Sequence, residues 1–209
     1  MDWRAVRYEL SALAATVASL PTRLLPGEAG FDACAPHPTP VVLVHGFLGD
    51  ASNFFVFRRR LAAHGIRNVA TFSYRPGIDM PRLALRLAGT LEDARRAAGT
   101  RDVDVIGHSL GGTVARYLAE TDGGQLVRRL VTLGAPSFTS WTAAHELAIF
   151  GAADPLVPPP ATAGPHGRVR VVAGCGHIGL LYHPVASAAA ACHLRRPLVR
   201  ASAGSRAVA

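Results

Sequence analysis

One tight turn constrains this chain more than any other feature: Gly107-His108-Ser109-Leu110-Gly111, directly after the apolar run Val103-Asp104-Val105-Ile106. The run reads as a buried parallel strand and residues 112–120 as a helix. A strand passing straight into a helix leaves the serine on a sharp, strained corner with its hydroxyl exposed. Both flanking positions need glycine, because a β-carbon at either would strike the neighbouring strand or the helix that follows. The pentapeptide alone is weak, with roughly 0.1 chance matches expected in a chain of this composition. The strand before it and the helix after it give it meaning.

Around this turn, short apolar runs alternate with helical patterns. Residues 41–44, 69–74, 127–133, 147–150 and 169–173 read as strands, and 53–64, 81–98 and 183–195 as helices. Asp50 or Ser52 is the expected cap of the first helix, and Pro81 opens the second, where a missing N–H costs nothing. Such alternation predicts an α/β fold: a mostly parallel sheet of about six strands with helices on both faces. Working groups in these sheets gather just beyond the carboxyl ends of the strands. Ser109, His45-Gly46-Phe47, Asp154 and His177 all follow strand ends, so the fold should bring them to one edge.

The ends of the chain are of another kind. Trp3, Val6, Leu10, Leu13, Val17, Leu20 and Leu24 recur at steps of three and four, one stripe of an amphipathic helix over residues 1–25. That periodicity, with Asp2 and Glu9 close by, favours a retained helix over a secretory signal. The helix is expected to pack on the domain or to make peripheral contact with a membrane. This favours a cytoplasmic or membrane-peripheral location and leaves secretion open. Residues 26–40, rich in proline and glycine, read as a linker, 41–195 as the α/β domain and 196–209 as a disordered tail.

Composition excludes several roles. The chain has 209 residues, 49% hydrophobic and 17% charged, enough for one well-cored domain. Its net charge of +8 comes entirely from arginine. The arginines are scattered, without the interleaved aromatics of a nucleic-acid face, so no nucleic-acid partner is expected. Cys34, Cys175 and Cys192 have no zinc-like spacing, and no metal or cofactor is implied. Cys175 reads as a small buried side chain; a bond to Cys192 would require the two to meet in space. Oligomeric state is not legible.

A serine hydroxyl needs a base to act as a nucleophile, and a histidine oriented by a carboxylate supplies one at neutral pH. His177, in Gly174-Cys175-Gly176-His177-Ile178-Gly179 after the last strand, is the expected base, its flanking glycines letting the backbone turn the ring back over the sheet. Asp154, in the turn after the fifth strand, is the expected acid. Glu146 precedes that strand and would point to the opposite edge. His183 is expected to cap the last helix, His166 to be solvated and His108 to pack. An oxyanion would be met by the backbone N–H of Leu110, at a helix N-terminus, and by that of Phe47. Phe47, Leu48, Leu156 and Leu180 are candidates for an apolar substrate pocket.

The segments 41–49, 107–112, Leu133-Gly134-Ala135-Pro136 and those around Asp154 and His177 resemble the α/β-hydrolase superfamily, small bacterial lipases and esterases in particular. The resemblance spans about residues 40 to 194. It implies a Ser109–His177–Asp154 triad, an oxyanion hole at Phe47 and Leu110, acyl-enzyme chemistry on lipid-like or small acyl esters, and no cofactor. One departure stands out: only 19 residues separate Gly134 from Asp154, where such lipases carry a longer insertion. A minimal or absent lid is therefore expected, with no full helix between Asp154 and His177. Two other readings use the same residues: an acyltransferase or thioesterase with this triad, or a non-catalytic binding module on a hydrolase fold.

Overall fold

A computed structural model describes residues 3–21, 31–74, 79–136, 145–160 and 168–197. Six strands form one all-parallel sheet: β1 (Val41–Val44), β2 (Val69–Phe72), β3 (Val103–His108), β4 (Val127–Leu133), β5 (Glu146–Gly151) and β6 (Arg168–Val172). They lie in the order β2-β1-β3-β4-β5-β6. From β1 the chain first builds outward to β2, then returns to place β3 on the other side. The loops after β1 and β3 therefore diverge, which opens a crevice at their carboxyl ends. Val44 stands level with Gly107 across this pair, so His45-Gly46-Phe47 and Ser109 leave the sheet side by side.

Strand alternation divides the core. Val41 and Leu43 of β1 join one apolar cluster with Phe57 and Leu61 of α2 (Phe55–Ala63) and Leu194 of α5 (Pro184–Arg195). Val42 and Val44 point the other way, onto Leu87 and Leu91 of α3 (Met80–Ala98) and Val114 of α4 (Leu110–Ala119). Every residue of β1 is fully buried, as expected for a parallel strand covered on both faces. Asp79 caps α3 by accepting the N–H of Arg82, and Asp50 caps a short 3-10 turn, Ala51–Phe54, that precedes α2.

The expected helix at the amino terminus is α1 (Trp3–Ser19), but its apolar stripe is not the face that packs. Trp3, Leu10, Leu13, Val17 and Leu20 are exposed, Trp3 at 68%. The opposite face carries the small residues Ala5, Ala12 and Ser19, which are buried. Small side chains let the helix approach closely while Glu9 and Thr16 reach polar partners beneath it and Tyr8 lies against the His183 ring; Thr16 Oγ1 lies 2.8 Å from the Tyr182 hydroxyl. Periodicity shows which residues share a face, not which face finds a partner.

The described part of the expected linker is fastened to the sheet. Asp32 and Asn68 exchange hydrogen bonds of 2.8 Å, and His37 Nε2 meets Asp104 Oδ2 at 2.9 Å. Leu24, most of the expected tail and His166 lie outside the described residues. Between β5 and β6, the described residues contain no helix.

Candidate active site

The turn after β3 has the expected strain. Ser109 sits at φ 51° and ψ −124°, and Leu48 at φ 57°; among the described residues these are the two non-glycine positions with positive φ. Such backbone costs about 1–3 kcal/mol per residue and survives only where the surroundings enforce it. Both positions border the crevice between β1 and β3. The flanking glycines are sterically required: a Cβ on Gly107 would lie 2.5 Å from Gly112 Cα of α4, and one on Gly111 2.3 Å from the carbonyl oxygens of Val44 and His45.

His45 fixes the neighbouring loop. A carbonyl oxygen can only accept, so the 2.9 Å contact to Gly46 O assigns the proton to His45 Nδ1, and Nε2 accepts from Tyr74 N at 3.2 Å. The ring stacks on Tyr74 with centroids 4.4 Å apart, and burial lowers its pKa. This neutral, doubly bonded imidazole anchors the turn that carries Phe47. A Cβ on Gly46 would sit 3.0 Å from Ser109 Cβ, so the two loops touch. Leu110 is the first residue of α4, where a backbone N–H has no partner within the helix.

Asp154 and His177 meet as the sequence reading expects. His177 Nδ1 donates to Asp154 Oδ2 at 2.7 Å, and both residues are buried. The other carboxylate oxygen accepts from the N–H groups of Leu156 and Val157, at 2.8 and 2.9 Å. Burial pushes the Asp154 carboxyl up, but the bonds from His177, Val157 and Leu156 outweigh it and hold the group below its ordinary value. Among the described residues the His177 ring bonds Asp154 and not the Ser109 hydroxyl.

His108 does more than pack. Its Nε2 donates to the carbonyl of His177 at 3.2 Å, and the two rings lie 4.8 Å apart. Burial and the nearby His177 push its pKa down to about 3, so it stays neutral. Glu146 is tied to structure: it is buried at the start of β5, where Arg116 Nη2 and Thr132 Oγ1 reach it at 2.7 and 2.6 Å. His183 caps α5 by accepting the N–H of Val185. Cys175 is buried, with its thiol pushed up to about 12 chiefly by that burial; neither it nor exposed Cys192 is in a disulfide.

Phe47, Leu48 and Leu156 are exposed, whereas Leu180 is fully buried, packed near Gly134 beneath the Asp154–His177 pair. Among the described residues no group of three or more His, Cys, Asp or Glu could hold a metal ion, and no helix is long and apolar enough to cross a membrane. The sequence reading missed Glu9, which bonds the N–H groups of Ile178 and Gly179 just beyond His177. It is the lone acid of α1, the one signal the sequence offered.

The chain is similar to known proteins. The chain is 31% identical over 142 residues to a protein named triacylglycerol lipase from Burkholderia plantarii, covering 64% of this chain and 39% of the relative. It is 32% identical over 113 residues to one of the same name from Pseudarthrobacter phenanthrenivorans, covering 50% and 35%. The matches thus span well under half the length of these curated relatives. A predicted CIB-like hydrolase from Thermoplasma acidophilum superposes with a TM-score of 0.61 at 18% identity, over 81% of this chain and 97% of that one. Residues 39–156 match the family profile for the alpha/beta hydrolase fold, and this chain belongs to that family.

Proposed function

We propose that this chain is a serine carboxylic-ester hydrolase acting through an acyl-enzyme on lipid-like or small acyl esters. The observation that carries the reading is the buried 2.7 Å His177–Asp154 pair beside a serine held at positive φ. The lipase names of the relatives agree with it. A carboxylate that accepts from Nδ1 leaves Nε2 bare, the tautomer a general base needs. Rotation of the Ser109 side chain and substrate binding bring its hydroxyl to that nitrogen, since catalytic hydrogen bonds often tighten only in the complex. Ser109 Oγ then bonds the ester carbonyl carbon while its proton passes to His177. The Phe47 and Leu110 N–H groups receive the oxyanion. The C–O bond to the alcohol breaks as His177 returns the proton to the leaving oxygen, and water repeats the sequence on the acyl-enzyme.

The test is labelling of the folded chain by a fluorophosphonate, alongside hydrolysis of p-nitrophenyl esters of increasing chain length. Expected are labelling abolished by Ser109→Ala and a preference for short to medium chains, because the exposed Phe47, Leu48 and Leu156 offer an open, shallow rim. Absence of labelling and turnover in folded protein refutes the reading. Labelling with turnover only when a second alcohol or thiol is supplied replaces it with acyl transfer.

The same proposal gives the outward face of α1 to an anionic lipid surface. That face presents Trp3, Leu10, Leu13 and Val17 with Arg4 and Arg7 alongside, and the lone acid of the helix, Glu9, points inward. Co-sedimentation with anionic vesicles should fall at least several-fold in Leu10→Ser/Val17→Ser, with ester turnover in solution unchanged. Equal sedimentation of both proteins rejects the contact.

A further inference from the structure

We propose that Glu9 is a positioning residue for His177, acting from the amino-terminal helix across 168 residues of chain. The inference deepens the esterase reading and rests on it.

Glu9 reaches inward from α1 and accepts two backbone N–H groups at once, Ile178 N at 2.5 Å and Gly179 N at 2.9 Å. These are the first two amides of the 3-10 turn Ile178–Leu181, whose preceding residue is His177 itself, at φ −69° and ψ −57°. Orphan amides at the start of such a turn are normally met by a local side chain or by water. Here His177 makes no side-chain cap, because its ring is committed to Asp154. A carboxylate from elsewhere in the chain does the capping, and its bidentate grip fixes the turn in two dimensions.

Gly176 and Gly179 show that the segment is shaped around this carboxylate. A Cβ on Gly176 would lie 2.6 Å from Glu9 Oε2 and 2.7 Å from Glu9 Cδ. On Gly179 it would lie 2.9 Å from the same oxygen and 3.0 Å from the Tyr8 ring. Neither glycine has the positive φ that would demand glycine for conformational reasons; in this segment Gly174 alone does. The glycines around His177 thus make room for Glu9 where the sequence suggested only backbone freedom. The flanks of the clamp are fastened as well, by Tyr8 against His183 with ring centroids 5.2 Å apart and by Thr16 to the Tyr182 hydroxyl.

His177 is therefore held at three points: its ring by Asp154, its carbonyl by His108, and the two amides after it by Glu9. Without Glu9 the imidazole would still be paired, but the backbone beneath it could shift. Misplacement of a catalytic group by about 1 Å costs on the order of 100-fold in rate.

The full chain should be compared with Glu9→Gln, Glu9→Asp and Glu9→Ala, at equal folded fraction, for kcat and KM on a short-chain p-nitrophenyl ester and for the rate of fluorophosphonate labelling. Expected for Glu9→Gln is a loss of about 10- to 100-fold in kcat and in labelling rate, with KM changed less than about 3-fold. Its amide oxygen can accept one N–H well, while its NH2 opposes the other. Glu9→Asp, which keeps both acceptors but falls one methylene short of the amides, should recover only part of the loss. Gly176→Ala should mimic Glu9→Gln, and should cost less in the Glu9→Ala background, where the obstructing carboxylate is gone. Wild-type kcat in folded Glu9→Gln, or a change confined to KM or to thermal stability, overturns the role of Glu9. A folded wild-type chain that neither labels nor turns over ester refutes the esterase reading instead.

Discussion

Among the described residues two buried aspartate–histidine pairs stand at opposite ends of the same sheet. At the carboxyl edge Asp154 holds His177 at 2.7 Å; at the other, Asp104 near the start of β3 holds His37 at 2.9 Å. The side-chain types and the distances are nearly the same, and all four residues are buried. The difference lies in what else each carboxylate meets. Asp104 also receives the Arg128 guanidinium on both oxygens, at 2.9 and 2.5 Å, and Arg128 passes on to the carbonyl of Leu194. That cation neutralises the carboxylate and joins β3, β4 and α5. Among the described residues Asp154 has no arginine partner but two backbone amides, which orient it and leave its charge for the imidazole. The Asp104 pair thus serves as a joint, while the Asp154 pair keeps its charge for the imidazole, as the general base of the proposed reaction requires.

The largest effect should come from neutralising each aspartate in turn. Asp154→Asn is expected to lower kcat by about 10⁴-fold with a smaller loss of thermal stability than Asp104→Asn, because the amide preserves shape but upsets the histidine tautomer. Asp104→Asn should do the reverse. It leaves the Arg128 guanidinium against a neutral amide in a largely buried site, at a cost of about 3 kcal/mol. For a chain of this length that lowers Tm by on the order of 10 °C. Turnover per folded molecule should stay within about 2-fold of wild type. Parallel melting curves and ester kinetics on the two variants decide the matter. An Asp104→Asn protein that keeps its Tm and loses activity would erase the contrast, as would an active but destabilised Asp154→Asn.

These two pairs were unequally legible in the sequence. Ser109 was readable because its constraints are local: a strand, a turn and a helix within a dozen residues. Asp154 and His177 followed from the rule that sites lie past strand ends, with Glu146 set aside because it precedes its strand and His183 because it opens the last helix. The Asp104 pair was passed over, although a charge inside the apolar run Val103-Asp104-Val105-Ile106 demands a buried partner. Its partners lie 67 residues before and 24 after, with nothing in the pattern to point to them. Glu9 was harder still. The stripe of Trp3, Leu10 and Val17 drew the reading to the outward side of α1, while the side that packs is made of alanines and of polar groups whose partners lie far along the chain. Periodic pattern encodes burial against a sheet well; it encodes pairwise polar contacts poorly.

A smaller effect sharpens the comparison through acid sensitivity. His108, which braces His177 from below, is held neutral by burial with a pKa near 3 against an ordinary 6.5. As pH falls through this window, the unfolded chain takes up a proton that the folded chain refuses. Stability present above pH 6.5 is therefore lost toward pH 3, with a slope approaching about 1.4 kcal/mol per pH unit for one group. Asp154, held charged, adds to the loss only below its ordinary carboxylate value. His45, His183 and His193 are shifted in the same direction as His108 and share the upper limb, so one substitution should reduce the slope without removing it. His108→Gln keeps a donor for the His177 carbonyl and cannot titrate. Denaturant unfolding at a series of pH values should show the variant losing less stability than wild type between pH 6.5 and 4. Identical slopes would mean that His108 takes up its proton as readily folded as unfolded, and that the brace beneath His177 is open to water.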